Sequence, residues 1–144
     1  MNSQRIEQWV IADQIRKRSL DKERITSMIE AAVMNMGIVK TIPLTEQSAI
    51  LIFRETYESI RQLGDAKWWL LGYEPRNHEV SMEVLKEMDI TQKVRLNHLS
   101  RFKMIRNDTN YRGFKVSAAQ AKEIVEFWDS CSAEILSLLQ KDLR

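Results

Sequence analysis

The stretch Ser117–Gln140, SAAQAKEIVEFWDSCSAEILSLLQ, decides the fold of this chain. Ser117 followed three residues later by Gln120 is a capping box, which marks the N-terminus of a helix. Behind the box, apolar residues recur every three or four positions, the spacing of one helix face: Ala121, Ile124, Val125, Trp128, Cys131, Ile135, Leu138 and Leu139. A helix over residues 118–141 with one apolar face needs other helices to pack against.

The same spacing continues upstream of this helix. Apolar residues at helical intervals, with capping residues before them, predict three more long helices, an N-terminal helix and a short one: 21–36, 45–71, 91–107, 1–20 and 78–88. We expect the helix over 45–71 to pass through Gly64, because one interior glycine costs only about 1 kcal/mol. Residues 73–77 are predicted to be a loop, and Ile38-Val39 resembles a strand that has no partner.

These elements predict an all-α protein. Short connections between long amphipathic helices favour an antiparallel up-and-down four-helix bundle, here over residues 21–141. The N-terminal helix over 1–20 and the short helix are additions to that bundle. A length of 144 residues suits one core, so residues 1–144 are expected to form a single domain.

Composition excludes several classes of protein. With 44% apolar and 29% charged residues the chain is typical of globular proteins, and 4 glycines and 2 prolines disfavour a turn-rich β-fold. A single cysteine excludes a disulfide framework, and two histidines make a histidine metal cage improbable. We therefore expect no metal and no cofactor. No apolar run is long enough for a membrane span and the first residues lack a signal-peptide pattern, so we expect a cytoplasmic protein without a membrane partner.

Positive charge is concentrated in one segment. Residues 93–115 hold seven bases and one acid, a net +6, although the whole chain carries only +2. A solvated helix face explains such a run as well as a phosphate-bearing partner does. Within it lies Arg106-Asn107-Asp108-Thr109-Asn110-Tyr111-Arg112-Gly113, at the predicted end of the helix over 91–107. Helix termination accounts for the Asn, Asp and Gly residues of this octapeptide, but not for two arginines beside a basic helix.

Three features together resemble the HEPN domains, small helical bundles often encoded beside a minimal nucleotidyltransferase. They are the order of the helices, the Lys-Trp-Trp-Leu-Leu-Gly-Tyr run at 67–73, and above all the octapeptide followed by Val-Ser and a long last helix. The resemblance covers about residues 21–141. It implies a homodimer, RNA or a nucleotide as ligand, a cognate nucleotidyltransferase antitoxin as partner, and metal-independent ribonuclease activity in a toxin–antitoxin or defence-type module.

The family motif is an Arg, a polar residue, and a His four to six residues after the Arg. Arg106 and Asn107 match its first two positions, but the His would fall at Tyr111, Arg112 or Gly113. A tyrosine, with a reference pKa near 10, is a weak general base beside histidine at about 6.5. His98, roughly 12 Å before Arg106 along an ideal helix, is expected to be structural or at an interface.

Three hypotheses follow. In the first, an endoribonuclease uses Arg106, Asn107, Asp108 and Tyr111 catalytically, with Asp108 or Tyr111 in proton transfer. Phosphate or RNA contacts would come from the surrounding bases Arg101, Lys103, Arg112 and Lys115, and Tyr111 is a candidate for modification by the nucleotidyltransferase. In the second, the same basic cleft binds a nucleotide, RNA or the partner without catalysis. In the third, the chain is a dimeric adaptor whose octapeptide only braces the bundle.

Overall fold

The computed structural model describes all 144 residues. It contains six α-helices, one 3-10 helix and two short strands: α1 Ser3–Ile11, β1 Ile15–Lys17, α2 Lys22–Val39, α3 Ala49–Leu70, β2 Tyr73–Pro75, α4 His78–Lys86, the 3-10 helix Lys93–Asn97, α5 His98–Arg112 and α6 Ala118–Leu143. The fold is therefore predominantly helical, as predicted. None of the helices combines the length and the apolarity needed to cross a membrane.

The long helix α3 is at the centre of the molecule. It packs against α2, α4 and α6, and its apolar face supplies Phe53, Tyr57 and Ile60 to the main core. Phe53 meets Phe102 of α5 edge-on, with ring centres 6.4 Å apart. Every long helix therefore buries a face in a core organised around α3.

Gly64 lets α3 and α4 approach each other closely. The α3 helix runs through Gly64, as predicted, and a Cβ at this position would lie 2.2 Å from the backbone oxygen of Ser81. No side chain fits in that space, so this glycine is required for helix contact. The N-terminus of α4 is thereby held beside α3.

The prediction of one helix over residues 1–20 is wrong. Helix α1 ends at Ile11, Asp13 has a left-handed backbone (φ 58°), and β1 then pairs antiparallel with β2. The predicted loop over 73–77 therefore contains a strand. The physical reason is a second small core in which Ile15 packs on Trp68, Val80 and Val84.

The prediction that the helix over 91–107 ends at Asn107 is also wrong. The segment 91–107 begins as the 3-10 helix, and α5 then continues to Arg112. Thr109 is buried and Asp108 pairs with Arg112 one turn later, 3.7 Å away, so packing and pairing outweigh weak helix propensity. Gly113, with φ 71°, ends the helix in a left-handed conformation.

The ends of three other helices also differ from the prediction. Helix α2 passes Gly37 and ends at Val39, so Ile38-Val39 is helical rather than strand-like. Helix α3 begins at Ala49 instead of Thr45, and α6 extends to Leu143 behind the predicted capping box.

Candidate functional site

A cleft of about 240 Å³ lies between α3 and α5. We call it the Arg106 cleft, and it is lined by Arg54, Glu55, Tyr57, Glu58, Arg106 and Asn110. The α3 residues are spaced three and four apart, and Arg106 and Asn110 are four apart on α5, so each helix presents one face to the cleft.

Arg106 is the half-buried cation of this cleft. Its guanidinium carbon lies 5.4 Å from the centre of the Tyr57 ring, a cation–π contact, and no carboxylate lies within 4.0 Å of its nitrogens. A guanidinium held on an aromatic face without an acidic partner keeps its donors available to an anion.

Tyr57 forms the floor of the cleft. It is only 2% exposed, and its buried hydroxyl has no hydrogen-bond partner. Burial raises the pKa of Tyr57 to about 12, although Arg106 and Arg61 act in the opposite direction. The phenol is therefore a neutral hydrogen-bond donor at any ordinary pH.

The remaining charges of α3 form a chain of ion pairs. Arg61 donates to Glu58 at 3.0 Å and also contacts Asp65, which accepts from the hydroxyl of Ser81. Burial is the largest single influence on Glu58 and acts to raise its pKa, but the hydrogen bond and charge of Arg61, with the charges of His78 and Arg106, together outweigh burial and lower the pKa. The residues that line the cleft carry two guanidiniums, Arg54 and Arg106, against two carboxylates, Glu55 and Glu58, and Glu58 shares Arg61 with Asp65. Of the two cleft carboxylates, Glu58 is therefore the one already engaged by a cation outside the lining.

His78, the first residue of α4, has a pKa on which these charges act. The Nδ1 atom of His78 is buried without a hydrogen-bond partner. Burial lowers the pKa of His78, Arg61 and Arg106 lower it further, and Glu58 opposes them. The next residue, Glu79, accepts a hydrogen bond from Lys103 at 3.0 Å, which ties α4 to α5 one turn before Arg106.

Three buried side-chain polar atoms in the molecule lack a hydrogen-bond partner: the Tyr57 hydroxyl, Nδ1 of His78 and the Thr109 hydroxyl. Of these, only Tyr57 contacts Arg106 and lines the cleft; Thr109 is one turn along α5, and the charge of Arg106 acts on the pKa of His78. Buried polar groups are normally hydrogen-bonded. An unpartnered hydroxyl beneath an arginine without an acidic partner is typical of a site for a polar ligand.

The structure does not bring together the four predicted catalytic residues. Tyr111 is 79% exposed and, five residues after Arg106, is rotated by about 140° around the helix. Asp108 pairs with Arg112, and its carbonyl accepts from Phe114 at 3.3 Å in the helix cap. Asn107 is half-buried beside Arg106 but does not line the cleft.

Most of the predicted phosphate-binding bases have acidic partners. Arg101 forms a bidentate pair with Glu123 of α6 at 2.9 and 3.1 Å, and Lys103 is held by Glu79. Arg112 is exposed beside Asp108, and Lys115 is exposed without an acidic partner. The basic segment is thus less positive than its sequence indicates.

His98 is placed away from the cleft, at 49% exposure, with Nδ1 3.6 Å from Glu123. The sequence did not single out Tyr57, the aromatic ring that contacts Arg106 in the cleft. A signal was present in α3, where Arg54, Glu58, Arg61 and Asp65 recur at helical spacing beside the apolar face. A solvated helix face produces the same pattern, so the signal does not identify a site by itself.

No three His, Cys, Asp or Glu side chains are grouped so that they could hold a metal ion. Comparison of the chain with protein-family models, curated proteins and solved structures found no match.

Proposed function

We propose that this chain is a HEPN-like protein of a toxin–antitoxin or defence-type module, which binds RNA in the Arg106 cleft and cleaves it without a metal ion. The proposal includes the finer architecture, in which α2, α3, α5 and α6 form an antiparallel four-helix bundle and the protein is a homodimer. The observation that carries it is Arg106, a half-buried guanidinium without an acidic partner, stacked on Tyr57, whose buried hydroxyl has no hydrogen-bond partner.

The guanidinium of Arg106 and the size of the cleft support a phosphodiester as the ligand. Arg106 has no carboxylate within 4.0 Å, so its donors can bind the oxygens of one phosphodiester group. The volume, about 240 Å³, is below the roughly 300–1,000 Å³ typical of sites that enclose a whole small molecule. One nucleotide unit of a longer chain, with its neighbours outside, fits these properties better than a complete cofactor.

The end of α5 offers a surface for the neighbouring nucleotides. Tyr111 and Phe114 are 79% and 53% exposed, and Arg112 lies 5.3 Å from the Phe114 ring centre. Exposed aromatic rings beside Arg112 and Lys115 combine base stacking with phosphate contacts, the usual way in which proteins hold single-stranded RNA. The exposed phenol of Tyr111 is also accessible to a nucleotidyltransferase partner.

A second candidate function is binding without cleavage. It is favoured by the placement of Tyr111 and Asp108 outside the Arg106 cleft, because these were the residues predicted to transfer protons. In that case the same cleft would hold RNA, a nucleotide or an acidic segment of the nucleotidyltransferase.

The test is cleavage of a labelled single-stranded RNA pool in excess chelator. We expect the wild-type protein to cut and Arg106→Ala to lose about 10²–10³ in rate, the usual cost of removing one donor to a developing charge. Arg95→Ala is the matched control, since Arg95 is exposed, lies in the same basic segment and is remote from the cleft. If neither the wild type nor Arg106→Ala cuts RNA, but the wild type binds RNA more tightly than Arg106→Ala, the second candidate function, binding without cleavage, is supported. Equal binding and equal cutting by the wild type and Arg106→Ala would refute a function for the Arg106 cleft.

A further inference from the structure

We infer that Glu55 reads a guanine base in the Arg106 cleft, so that the preferred ligand is a guanosine unit of single-stranded RNA whose phosphate is bound by Arg106. The inference rests on the proposed function and names the base that the cleft selects.

Glu55 is the one carboxylate in the lining of the cleft whose oxygens are free to accept hydrogen bonds. The other carboxylate, Glu58, accepts from Arg61 with both of its oxygens: Nε donates to one at 3.0 Å, and a terminal guanidinium nitrogen donates to the other. Glu55 is half-buried, and its side chain has neither a cation within 4.0 Å nor a hydrogen bond from the protein. Its two oxygens are therefore available to donors of a ligand.

Glu55 and Arg106 lie at different ends of the cleft. Each residue turns an α-helix by about 100°, so Glu55 is about 160° from Tyr57 around α3, and Arg106 is stacked on the Tyr57 ring. The backbone carbonyl of Glu55 accepts from the side chain of Asn35 at 3.2 Å, which places this residue on the side of α3 that faces α2. A ligand that reaches both Glu55 and Arg106 must carry its anionic group and its donors at separate ends.

The charges of the lining disfavour a simple anion as the ligand. An inorganic phosphate or sulfate ion would bind Arg106 but would be repelled by Glu55, which no cation of the protein neutralises. A ligand that offers an anion to Arg106 and N–H groups to Glu55 forms charge-assisted hydrogen bonds with both. A nucleotide has this design, with the sugar between its phosphate and its base.

Guanine is the base whose edge matches a carboxylate. Its N1–H and N2–H₂ groups are adjacent donors, so the two oxygens of Glu55 can accept from them as a bidentate pair. Adenine and cytosine place a ring-nitrogen acceptor beside their amino group, and uracil has a carbonyl on each side of its N–H. Each of these three bases would direct a lone pair towards Glu55. Proteins that recognise single-stranded RNA read these edges of unpaired bases directly.

The test is binding of pentanucleotides that carry 2′-fluoro sugars and therefore have no 2′-hydroxyl through which they could be cleaved. Four of them have guanine, adenine, cytosine or uracil at the centre, between uridines, and a fifth has hypoxanthine, which is guanine without the N2 amino group. Fluorescence anisotropy at one fixed salt concentration measures the affinities. We expect the guanine oligonucleotide to bind about tenfold or more tightly than the adenine, cytosine and uracil ones, the discrimination of one good bidentate contact to a base edge. The hypoxanthine oligonucleotide, which keeps only N1–H, should lie between them.

Two variants separate the base contact from the phosphate contact. Glu55→Gln should remove most of the preference for guanine and leave the affinity for the all-uridine oligonucleotide undiminished, because the amide presents a donor where the carboxylate presents an acceptor. Arg106→Ala should weaken all five oligonucleotides alike, since a phosphate contact carries no information about the base. Glu30→Gln is the matched control for Glu55→Gln: Glu30 is an exposed glutamate of α2 outside the cleft, and its variant should keep the preference.

The outcomes distinguish this inference from the proposed function. Binding that depends on Arg106 but shows no preference for guanine, or a preference that survives in Glu55→Gln, would overturn the inference and leave the proposed function intact. If no oligonucleotide binds, or if Arg106→Ala binds all of them as the wild type does, the proposed function fails as well. Guanosine 5′-monophosphate is titrated beside the oligonucleotides, and tighter binding of this free nucleotide than of the guanine oligonucleotide would keep guanine as the base but overturn RNA as its source.

Discussion

The hydroxyl of Tyr57 is the most costly single group in the Arg106 cleft. A buried polar atom without a hydrogen-bond partner costs about 1–3 kcal/mol, yet the ring beneath it is fully packed against the core. Phenylalanine would fill the same space without that cost. A tyrosine at this position is therefore better explained by a ligand that accepts from its hydroxyl than by folding.

Tyr57→Phe should accordingly raise the free energy of unfolding by about 1 kcal/mol and weaken RNA binding. The cation–π contact of Arg106 needs only the ring, so it should persist. Urea denaturation and RNA titration measure the two effects, with the half-buried Tyr73→Phe as a control that should leave binding unchanged. A loss of stability in Tyr57→Phe would show that its hydroxyl is satisfied within the protein.

At the scale of elements, alanine substitutions at two glycines inside helices should change the stability of the protein in opposite directions. Gly64→Ala should destabilise the protein by about 3 kcal/mol or more, because its Cβ would lie 2.2 Å from the backbone oxygen of Ser81. Gly37→Ala, inside α2 with no atom within 4 Å of the new Cβ, should stabilise the protein by about 0.5–1 kcal/mol through helix propensity. Thermal and urea unfolding of both variants test the pair, and similar effects at the two positions would contradict the close approach of α3 and α4.

The elements also separate what the sequence could predict from what it could not. Helices α3 and α6 were predicted because their periodicity and, in α6, the capping box are local signals. The sheet was missed because β1 has three residues and is stabilised by Trp68, which is remote in sequence. The end of α5 was misplaced because tertiary packing buries Thr109 and keeps this segment helical despite its weak helix propensity.

The candidate site was predictable only in part, for the same reason. Arg106 could be singled out from its own segment. Tyr57 has the spacing of a core residue in α3, so it could not be connected to Arg106 without the packing of α3 against α5.

At the scale of the whole molecule, His78 links stability to pH. Its pKa is lowered in the folded state by burial and by Arg61 and Arg106, so the unfolded chain binds the proton more tightly. Stability should therefore fall as the pH drops below the ordinary histidine value of about 6.5, until the lowered pKa is passed. Urea midpoints measured between about pH 7 and pH 5 should decline less in His78→Gln than in the wild type. If the decline is reduced in His98→Gln and not in His78→Gln, the pH dependence of stability does not come from His78.

The pairing of β1 with β2 also constrains the order in which the chain folds. Residues 15–17 find their partners only at 73–75, and Ile15 packs on Trp68 and on α4 residues, so the N-terminal segment can dock only after α3 and α4 are in place. Closing so long a loop is slow in comparison with forming local helix contacts. Helix α1, which has no fully buried residue, adds little to hold the segment before then. The N-terminus should thus be the last part to become ordered and the first to detach, and the shielding of Trp68 marks the completion of folding.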